Sequence, residues 1–357
     1  MWGRRVLFMV LFLELVYLLY RRRRHALLST HAAGVYQHFT PAFLDMLYRT
    51  GELARLHGHA CTHRYLPFDE FRTWLARPQR QPLAQIVGSP AAWSVVHLPC
   101  TVWLLQYTGI TLAQRCVLGA WACSTVSTED GPYRIWSREC AGSSPIVFFP
   151  GIGAGVLPYC RYRFPGRSVH VVEVPNIAGL TLRQSHRTCT GATLARAVRS
   201  VVPAGSVFDV VAHSLGTYHA AMVVNALPPG SVGRVVLHDP FCHPVHLLRT
   251  QACVYGLPMV HSSCIGWMAR HLVGRNLEVQ AFSHCNGSGC LLWDLPRCGP
   301  VLSIFSREDA FIDYRLFTSY LQDTAQEHVI VPGNHGGSVH RAGKVAALEF
   351  LARVNPP

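Results

Sequence analysis

The stretch Val207-Phe208-Asp209-Val210-Val211-Ala212-His213-Ser214-Leu215-Gly216 decides how the rest of the chain is read. Its first half is an apolar, β-branched run that suits a buried strand. Thr217-Tyr218-His219-Ala220-Ala221-Met222-Val223-Val224 follows and reads as a helix. Ser214 therefore stands on a sharp turn between strand and helix, with the small residues Ala212 and Gly216 two places to either side. Small side chains there let strand and helix pass closely. Such a turn lifts the serine hydroxyl out of the sheet and aims the positive end of the helix at whatever binds.

The same texture extends outward from this turn. Tyr133 to Ser137, Ile146 to Phe149 and Ser168 to Val174 read as strands before it; Arg234 to His238, Val301 to Phe305 and His328 to Val331 read as strands after it. Ala192 to Val202, Leu215 to Ala226, Phe311 to Thr324 and Val339 to Arg353 read as helices. Strands alternating with helices imply an α/β fold with a doubly wound, mostly parallel sheet. Residues 241–299 interrupt the alternation, are rich in Cys and His, and carry a turn signal at Asn286-Gly287. An insertion at that point would lie over the carboxyl ends of the strands as a cap or lid.

Upstream of about residue 120 the character changes. Residues 6–20 are nearly all apolar, with Arg4 and Arg5 before them and Arg21 to Arg24 after. Fifteen helical residues span about 22 Å, short of a hydrocarbon core of about 30 Å, and Trp2, Tyr20 and snorkelling arginines extend that reach. Four arginines stand where a cleaved signal needs small residues, which favours an uncleaved N-terminal anchor over a cleaved signal or an in-plane helix. The same arginines favour a cytoplasmic main domain by the positive-inside tendency, and Glu14 implies a tilted or partnered helix. From Gln81 to Gln114 there is no Asp, Glu, Lys or Arg. Within it, Ala91 to Ile110 reads either as a second membrane-dipping segment or as hydrophobic helices packed on the main domain with a face toward the bilayer. The expected division is an anchor over 1–25, a helical, hydrophobic membrane-associated region over 26–120, and an α/β domain over 121–357 with its cap at 241–299.

Composition narrows the partners. Charged residues are 14% of the chain, well below the roughly 25% of an ordinary soluble domain, which points to a membrane or an apolar binding surface. The net charge of +13 comes almost wholly from arginine, Lys344 being the one lysine. The arginines are scattered apart from the N-terminal run, and no zinc-finger, KH or RRM signature accompanies them, so nucleic acid is not an expected partner. Thirteen cysteines include no C-x-x-C pair matched by a second, which argues against a structural zinc. Cys253, Cys264, Cys285, Cys290 and Cys298 would hold disulfides on a lumenal face; the alternative, slightly favoured, is free buried thiols acting as small hydrophobes. Asn286-Gly287-Ser288 fits a glycosylation sequon and matters only if that region is lumenal.

A serine hydroxyl is a poor nucleophile until a base takes its proton, and the base needs an acid to fix its tautomer. Ser306-Arg307-Glu308-Asp309 follows the strand ending at Phe305, and Pro332-Gly333-Asn334-His335-Gly336-Gly337 follows the strand ending at Val331. Parallel strands all end at one edge, so Asp309 and His335 should emerge beside Ser214. Asp239 and Asp313 are rivals for the acid, and His340 and His328 weaker rivals for the base. His213 and His238 read as packing or polar rim.

From about residue 130 onward the chain resembles the α/β-hydrolase superfamily. The matching pieces are Phe149-Pro150-Gly151-Ile152-Gly153, Ala212-His213-Ser214-Leu215-Gly216, Arg307-Glu308-Asp309 and Gly333-Asn334-His335-Gly336. The resemblance implies Ser214 as nucleophile, His335 as general base and then acid, and Asp309 as the orienting carboxylate. It implies an oxyanion hole at Gly151, Ile152 and Leu215: the N–H groups of Leu215 and Ile152 donate, and Gly151 lets the backbone approach. Two departures stand out, Ala212 for the usual Gly and Pro150 where many members have His; neither removes a catalytic atom, because the donors are backbone groups. No cofactor is implied. The expected activity is that of a membrane-anchored serine hydrolase cleaving carboxylic esters, of lipids or other apolar substrates, through an acyl-enzyme. The alternatives are a thioesterase or acyltransferase with the same triad, and a catalytically inactive scaffold of the same fold.

Overall fold

The computed structural model describes residues 9–23, 100–140, 144–153, 155–160, 162–175, 189–243, 298–309 and 326–353, together with Ile312, Tyr314, Arg315 and Leu321. The cap expectation at 241–299 falls almost wholly outside these residues. So do residues 26–99, Cys253, Cys264, Cys285, Cys290, the Asn286 sequon, Asp313 and most of the helix expected over 311–324.

The apolar runs form the middle of an eight-stranded sheet. In chain order the strands are β1 (Ala122–Thr128), β2 (Gly131–Arg138), β3 (Ile146–Phe149), β4 (Val169–Glu173), β5 (Phe208–His213), β6 (Val232–His238), β7 (Val301–Ser306) and β8 (Glu327–Val331). Their order across the sheet is β1-β2-β4-β3-β5-β6-β7-β8. The pairs β1–β2 and β2–β4 are antiparallel; every pair from β4 to β8 is parallel. Every residue of β3, β4, β5 and β7 is buried. Strands covered on both faces have no polar side to alternate with, which is why they read as continuous Val- and Phe-rich runs. β1 escaped the sequence reading for the converse reason. Ala-Cys-Ser-Thr-Val-Ser-Thr is a polar edge strand, mostly exposed, with neither alternation nor an apolar run to mark it.

Helices cover both faces. The helix α1 occupies residues 9–23 and α2 occupies Cys100–Val117. Then come α3 (Gly191–Arg199), α4 (Gly216–Ala226) and α5 (Arg341–Ala352). Thr190 caps α3 in a reciprocal capping box with Thr193. One apolar cluster packs Phe149, Phe208, Val210 and Leu237 of the sheet against Leu194, Val198, Ala220 and Val223 of α3 and α4. A second, on the opposite face, packs Phe148, Val211, Val236 and Ile304 against Ala347, Phe350 and Leu351 of α5. The doubly wound, mostly parallel sheet is therefore the architecture of this domain.

α1 and α2 carry an unusual load of exposed apolar side chains. Met9, Leu11, Phe12, Leu13, Leu15, Val16 and Leu19 are exposed on α1, and Leu104, Leu105, Leu112 and Val117 on α2. The Glu14 carboxylate, costly on so apolar a helix, accepts the backbone N–H of Cys100 at 2.6 Å, so the end of α2 satisfies it. Among the described residues no helix is both long and apolar enough to cross a membrane. Cys100, Cys116, Cys123, Cys140, Cys160 and Cys242 are free thiols.

Candidate active site

The serine turn forms as its small residues require. β5 ends at His213 and α4 begins at Gly216, leaving Ser214 and Leu215 to reverse the chain. Ser214 takes φ 53, a left-handed conformation that costs a residue with a Cβ roughly 1–2 kcal/mol. Hydrogen bonds hold it there: its N–H donates to the His238 carbonyl at 2.9 Å, and its carbonyl accepts the Thr217 N–H at 2.9 Å and the Thr217 hydroxyl at 2.6 Å. Gly216 cannot be larger, because a Cβ would collide with the Phe149 carbonyl oxygen and stand 2.5 Å from that of Pro150. β3 and α4 thus touch through backbone at this point.

Asp309 and His335 come to Ser214 from two other strand ends. The loops after β7 and β8 are stitched together: the Arg307 N–H donates to the Val331 carbonyl at 2.8 Å and the Glu308 N–H to the Gly333 carbonyl at 3.0 Å. The Gly333 N–H returns a bond to the Glu308 carboxylate. His335 Nδ1 lies 2.7 Å from Asp309 Oδ2, and His335 Nε2 lies 2.8 Å from Ser214 Oγ. A carboxylate can only accept, so Nδ1 carries the proton and Nε2 accepts from the serine hydroxyl. Asp309 Oδ1 also accepts the Ile312 N–H at 3.1 Å. Burial works against a charged His335 imidazole, but the Asp309 carboxylate outweighs it and raises the pKa above the ordinary histidine value.

The rival acid has other work. Asp239, at the end of β6, is wholly buried, and no hydrogen bond joins it to His335. Its Oδ1 accepts the Ser306 N–H at 2.7 Å; its Oδ2 accepts the Ser306 hydroxyl at 3.0 Å, the Gly336 N–H at 2.8 Å and the Ser338 hydroxyl at 2.8 Å. Of the other histidines, His340 caps α5 and His328 lies within β8, while the Ser214 hydroxyl meets His335. Donor atoms of Asp239, Asp309 and His335 lie within 4.8 Å of one another, a spacing a metal could share. Each of those donors is already engaged by hydrogen, which makes the set one for holding and moving protons.

Of the expected oxyanion residues, Leu215 follows the serine directly and Gly151 lies against it. The N–H groups of Ile152 and Leu215 have no acceptor among the described residues. Gly151 is different, because its N–H donates to the Tyr159 hydroxyl at 3.0 Å. Its part is close approach: a Cβ there would stand 3.0 Å from His213 Nδ1 and 3.2 Å from Ser214 Cβ. Tyr159 itself had no signal in the sequence. It sits in a 3-10 turn, Leu157–Tyr159, and its hydroxyl reaches His213 Nδ1 at 2.6 Å. Equally silent was Glu173, a buried carboxylate whose oxygens accept from Gln114 at 2.7 Å, Trp136 at 3.1 Å and the Val156 N–H at 2.7 Å, with Arg134 at 3.1 Å. It ties α2 to the Val156 N–H in the segment after β3.

No protein-family model and no curated protein sequence matches the chain. Solved structures do. The Cif epoxide hydrolase from Acinetobacter nosocomialis is 13% identical over 72% of this chain and 98% of its own, with a TM-score of 0.50. A carboxylesterase from Bacillus subtilis is 16% identical over 69% of this chain and 98% of its own, at a TM-score of 0.45. A putative lipase from Acinetobacter baumannii is 13% identical over 69% and 94%, at 0.48. At 13% identity the likeness to the epoxide hydrolase is one of fold alone, and with the sheet order described above it identifies the chain as having the α/β-hydrolase fold.

Proposed function

We propose that this chain is a serine hydrolase that cleaves carboxylic esters through an acyl-enzyme on Ser214. The observation that carries the reading is the unbroken run of hydrogen bonds Ser214–His335–Asp309, with the N–H groups of Leu215 and Ile152 left without an acceptor among the described residues. A fold host to many chemistries says little by itself. A nucleophile, a base and an orienting acid in line say more.

The reaction follows from the geometry. Ser214 Oγ attacks the ester carbonyl carbon as its proton passes to His335 Nε2. The carbonyl π pair moves onto oxygen, where the N–H groups of Leu215 and Ile152 stabilise the charge. Removing one such donor typically costs about 2.7–4 kcal/mol of transition-state stabilisation. The intermediate collapses, the bond to the alkoxy oxygen breaks, and His335 returns the proton to the departing alcohol. A water molecule, deprotonated by His335, then attacks the acyl carbonyl, and Ser214 leaves and takes the proton back. Asp309 holds the imidazole in the tautomer that both half-reactions need and balances its positive charge. An epoxide hydrolase of this fold needs a carboxylate nucleophile where Ser214 stands, which separates this site from that chemistry.

The substrate class we infer is a lipid or other apolar ester met at a membrane surface. Its support is the exposed apolar faces of α1 and α2 together with the exposed Arg22 and Arg23 at the end of α1. An apolar helix flanked by arginine suits an anionic bilayer. An N-terminal anchor over 1–25 remains part of this proposal. The test is labelling of the full chain by a fluorophosphonate probe. Wild type is expected to label and Ser214→Ala not to; equal labelling of both would sink the reading. The lipid profile of membranes incubated with wild type and with Ser214→Ala then identifies the ester, and thioester loss in place of ester loss would move the activity to thioester cleavage.

A further inference from the structure

A second set of buried polar groups lies directly beneath Ser214 and His335, and none of its members takes part in the proton transfers above. Asp239 is at its centre. The residue adopts φ 43, a left-handed conformation unusual for a side chain of this kind, and its N–H donates to the Ile304 carbonyl at 2.8 Å. Its two oxygens draw in the Ser306 N–H and hydroxyl from the end of β7, just before the loop to Asp309, and the Gly336 N–H and Ser338 hydroxyl from the segment that carries His335. Ser306 links the two loops again by accepting the Ser338 N–H at 2.9 Å. A buried carboxylate with four donors is held firmly, and so are the donors.

The network continues toward the oxyanion strand. The Tyr159 hydroxyl accepts the Gly151 N–H and lies 2.6 Å from His213 Nδ1. Burial lowers the His213 pKa and favours the neutral ring, and its Nε2 faces Asp239 Oδ2 at 3.7 Å, too long for a hydrogen bond but close enough to feel the charge. The His213 ring also lies against that of His335, centroids 5.3 Å apart. Burial works against a charge on Asp239, but His213, His335 and the Gly336 N–H outweigh it and hold the carboxyl below its usual range.

We propose that Asp239 is a positioning residue for His335: its carboxylate pins the loop that presents the base and lays a second negative charge beneath the imidazole, while Tyr159 and His213 brace Gly151 from the same point. The inference rests on the reading of Ser214 as a nucleophile activated by His335. Among the described residues the titratable groups facing His335 are Asp309, Asp239 and His213. Asp309 orients the base directly; Asp239 acts through the loop and through its charge.

The test is the rate of fluorophosphonate labelling of Ser214, measured against pH in the full chain. Asp239→Asn is expected to label about ten- to a hundredfold more slowly, the range expected when hydrogen bonds to a charged group are lost. Its acid limb is expected to move to lower pH, because the imidazolium loses a negative neighbour. Ser338→Ala deletes one donor and keeps the charge, so it should label several-fold more slowly with the acid limb unmoved. A purely structural role would slow labelling without moving the limb. Asp239→Asn with the wild-type rate or the wild-type limb would overturn the inference. If Asp239→Asn fails to fold by its circular-dichroism melt, Ser338→Ala carries the test, and a wild-type rate there overturns the inference. Wild type that labels at no pH is a separate outcome, which overturns the hydrolase reading itself.

Discussion

His335 Nε2 lies 2.8 Å from Ser214 Oγ although 121 positions separate the two residues in sequence. Two parallel strand ends bring them together, one carrying the serine turn and the other the loop after β8. Every prediction about catalysis begins from that contact and from the carboxylate behind it.

Asp309→Asn replaces a pure acceptor with a group that presents an amide donor, which favours the wrong imidazole tautomer. Hydrolysis of a soluble aryl ester by this variant is expected to fall by roughly 10³–10⁴-fold in kcat, with little change in KM. A loss of less than tenfold would mean that Asp309 is not the acid.

The pH profile should reflect the raised pKa of His335. The base works only when neutral, so protonation removes activity. The acid limb of kcat/KM is therefore expected above the ordinary histidine value of about 6.5. A limb below that value contradicts the ion pair with Asp309.

The serine turn stores strain that glycine relieves. Ser214 sits at φ 53, so Ser214→Gly and Ser214→Ala, both without a nucleophile, should differ in stability. Urea titration is expected to find the glycine variant more stable than the alanine variant by about 1 kcal/mol, after the greater chain entropy of glycine is taken into account. Equal stabilities would show that the turn is unstrained.

Acid should unfold the domain from about pH 6.5 downward. Burial lowers the pKa of His219 and His238 to about 3 and of His243 to about 4. Below about 6.5 the unfolded chain binds protons that these buried rings refuse, so stability falls as pH falls. Each ring contributes a slope of about 1.4 kcal/mol per pH unit until its folded pKa is reached. His335 has a raised pKa, so its contribution is lost as pH rises through that pKa and is constant below about 6.5, where both states hold the proton; it leaves the slope of the three rings unchanged. A urea midpoint unchanged between pH 7 and pH 5 would contradict their neutrality.

Vesicle binding should depend on the apolar side chains of α1. Leu11, Leu15 and Leu19 are 59, 54 and 55% exposed, so their replacement by Gln leaves the described core untouched. Co-sedimentation of the triple variant with anionic vesicles is expected to weaken at least about tenfold, given roughly 0.8 kcal/mol for each buried methylene lost. Labelling of Ser214 in solution should be unchanged. Undiminished binding would show that this face does not meet the bilayer.

Much of the fold was legible because the sheet is buried on both faces. Phe208 to Val211 and Val301 to Phe305 announce themselves as mainly apolar runs, broken only by Asp209 and Ser303, and each ends where a polar, chemistry-bearing segment begins. β1 was illegible because its residues are small, polar and at the edge. Strand order was beyond local reading as well, since the placing of β3 between β4 and β5 depends on how the crossovers pack.

The sequence by itself determined the strand–turn–helix at Ser214 and the candidates at neighbouring strand ends, because backbone periodicity and small-residue spacing are local properties. Only the tertiary structure shows which carboxylate His335 hydrogen-bonds, Asp309 and not Asp239. Both end parallel strands on the same edge, and their side-chain partners come from loops remote in sequence: His335 for one, Ser306, Gly336 and Ser338 for the other. Tyr159 and Glu173 belong to the same class. A hydroxyl that takes up the Gly151 N–H, and a carboxylate that joins α2 to the Val156 N–H in the segment after β3, acquire those roles from burial and direction in space. No spacing along the chain encodes either.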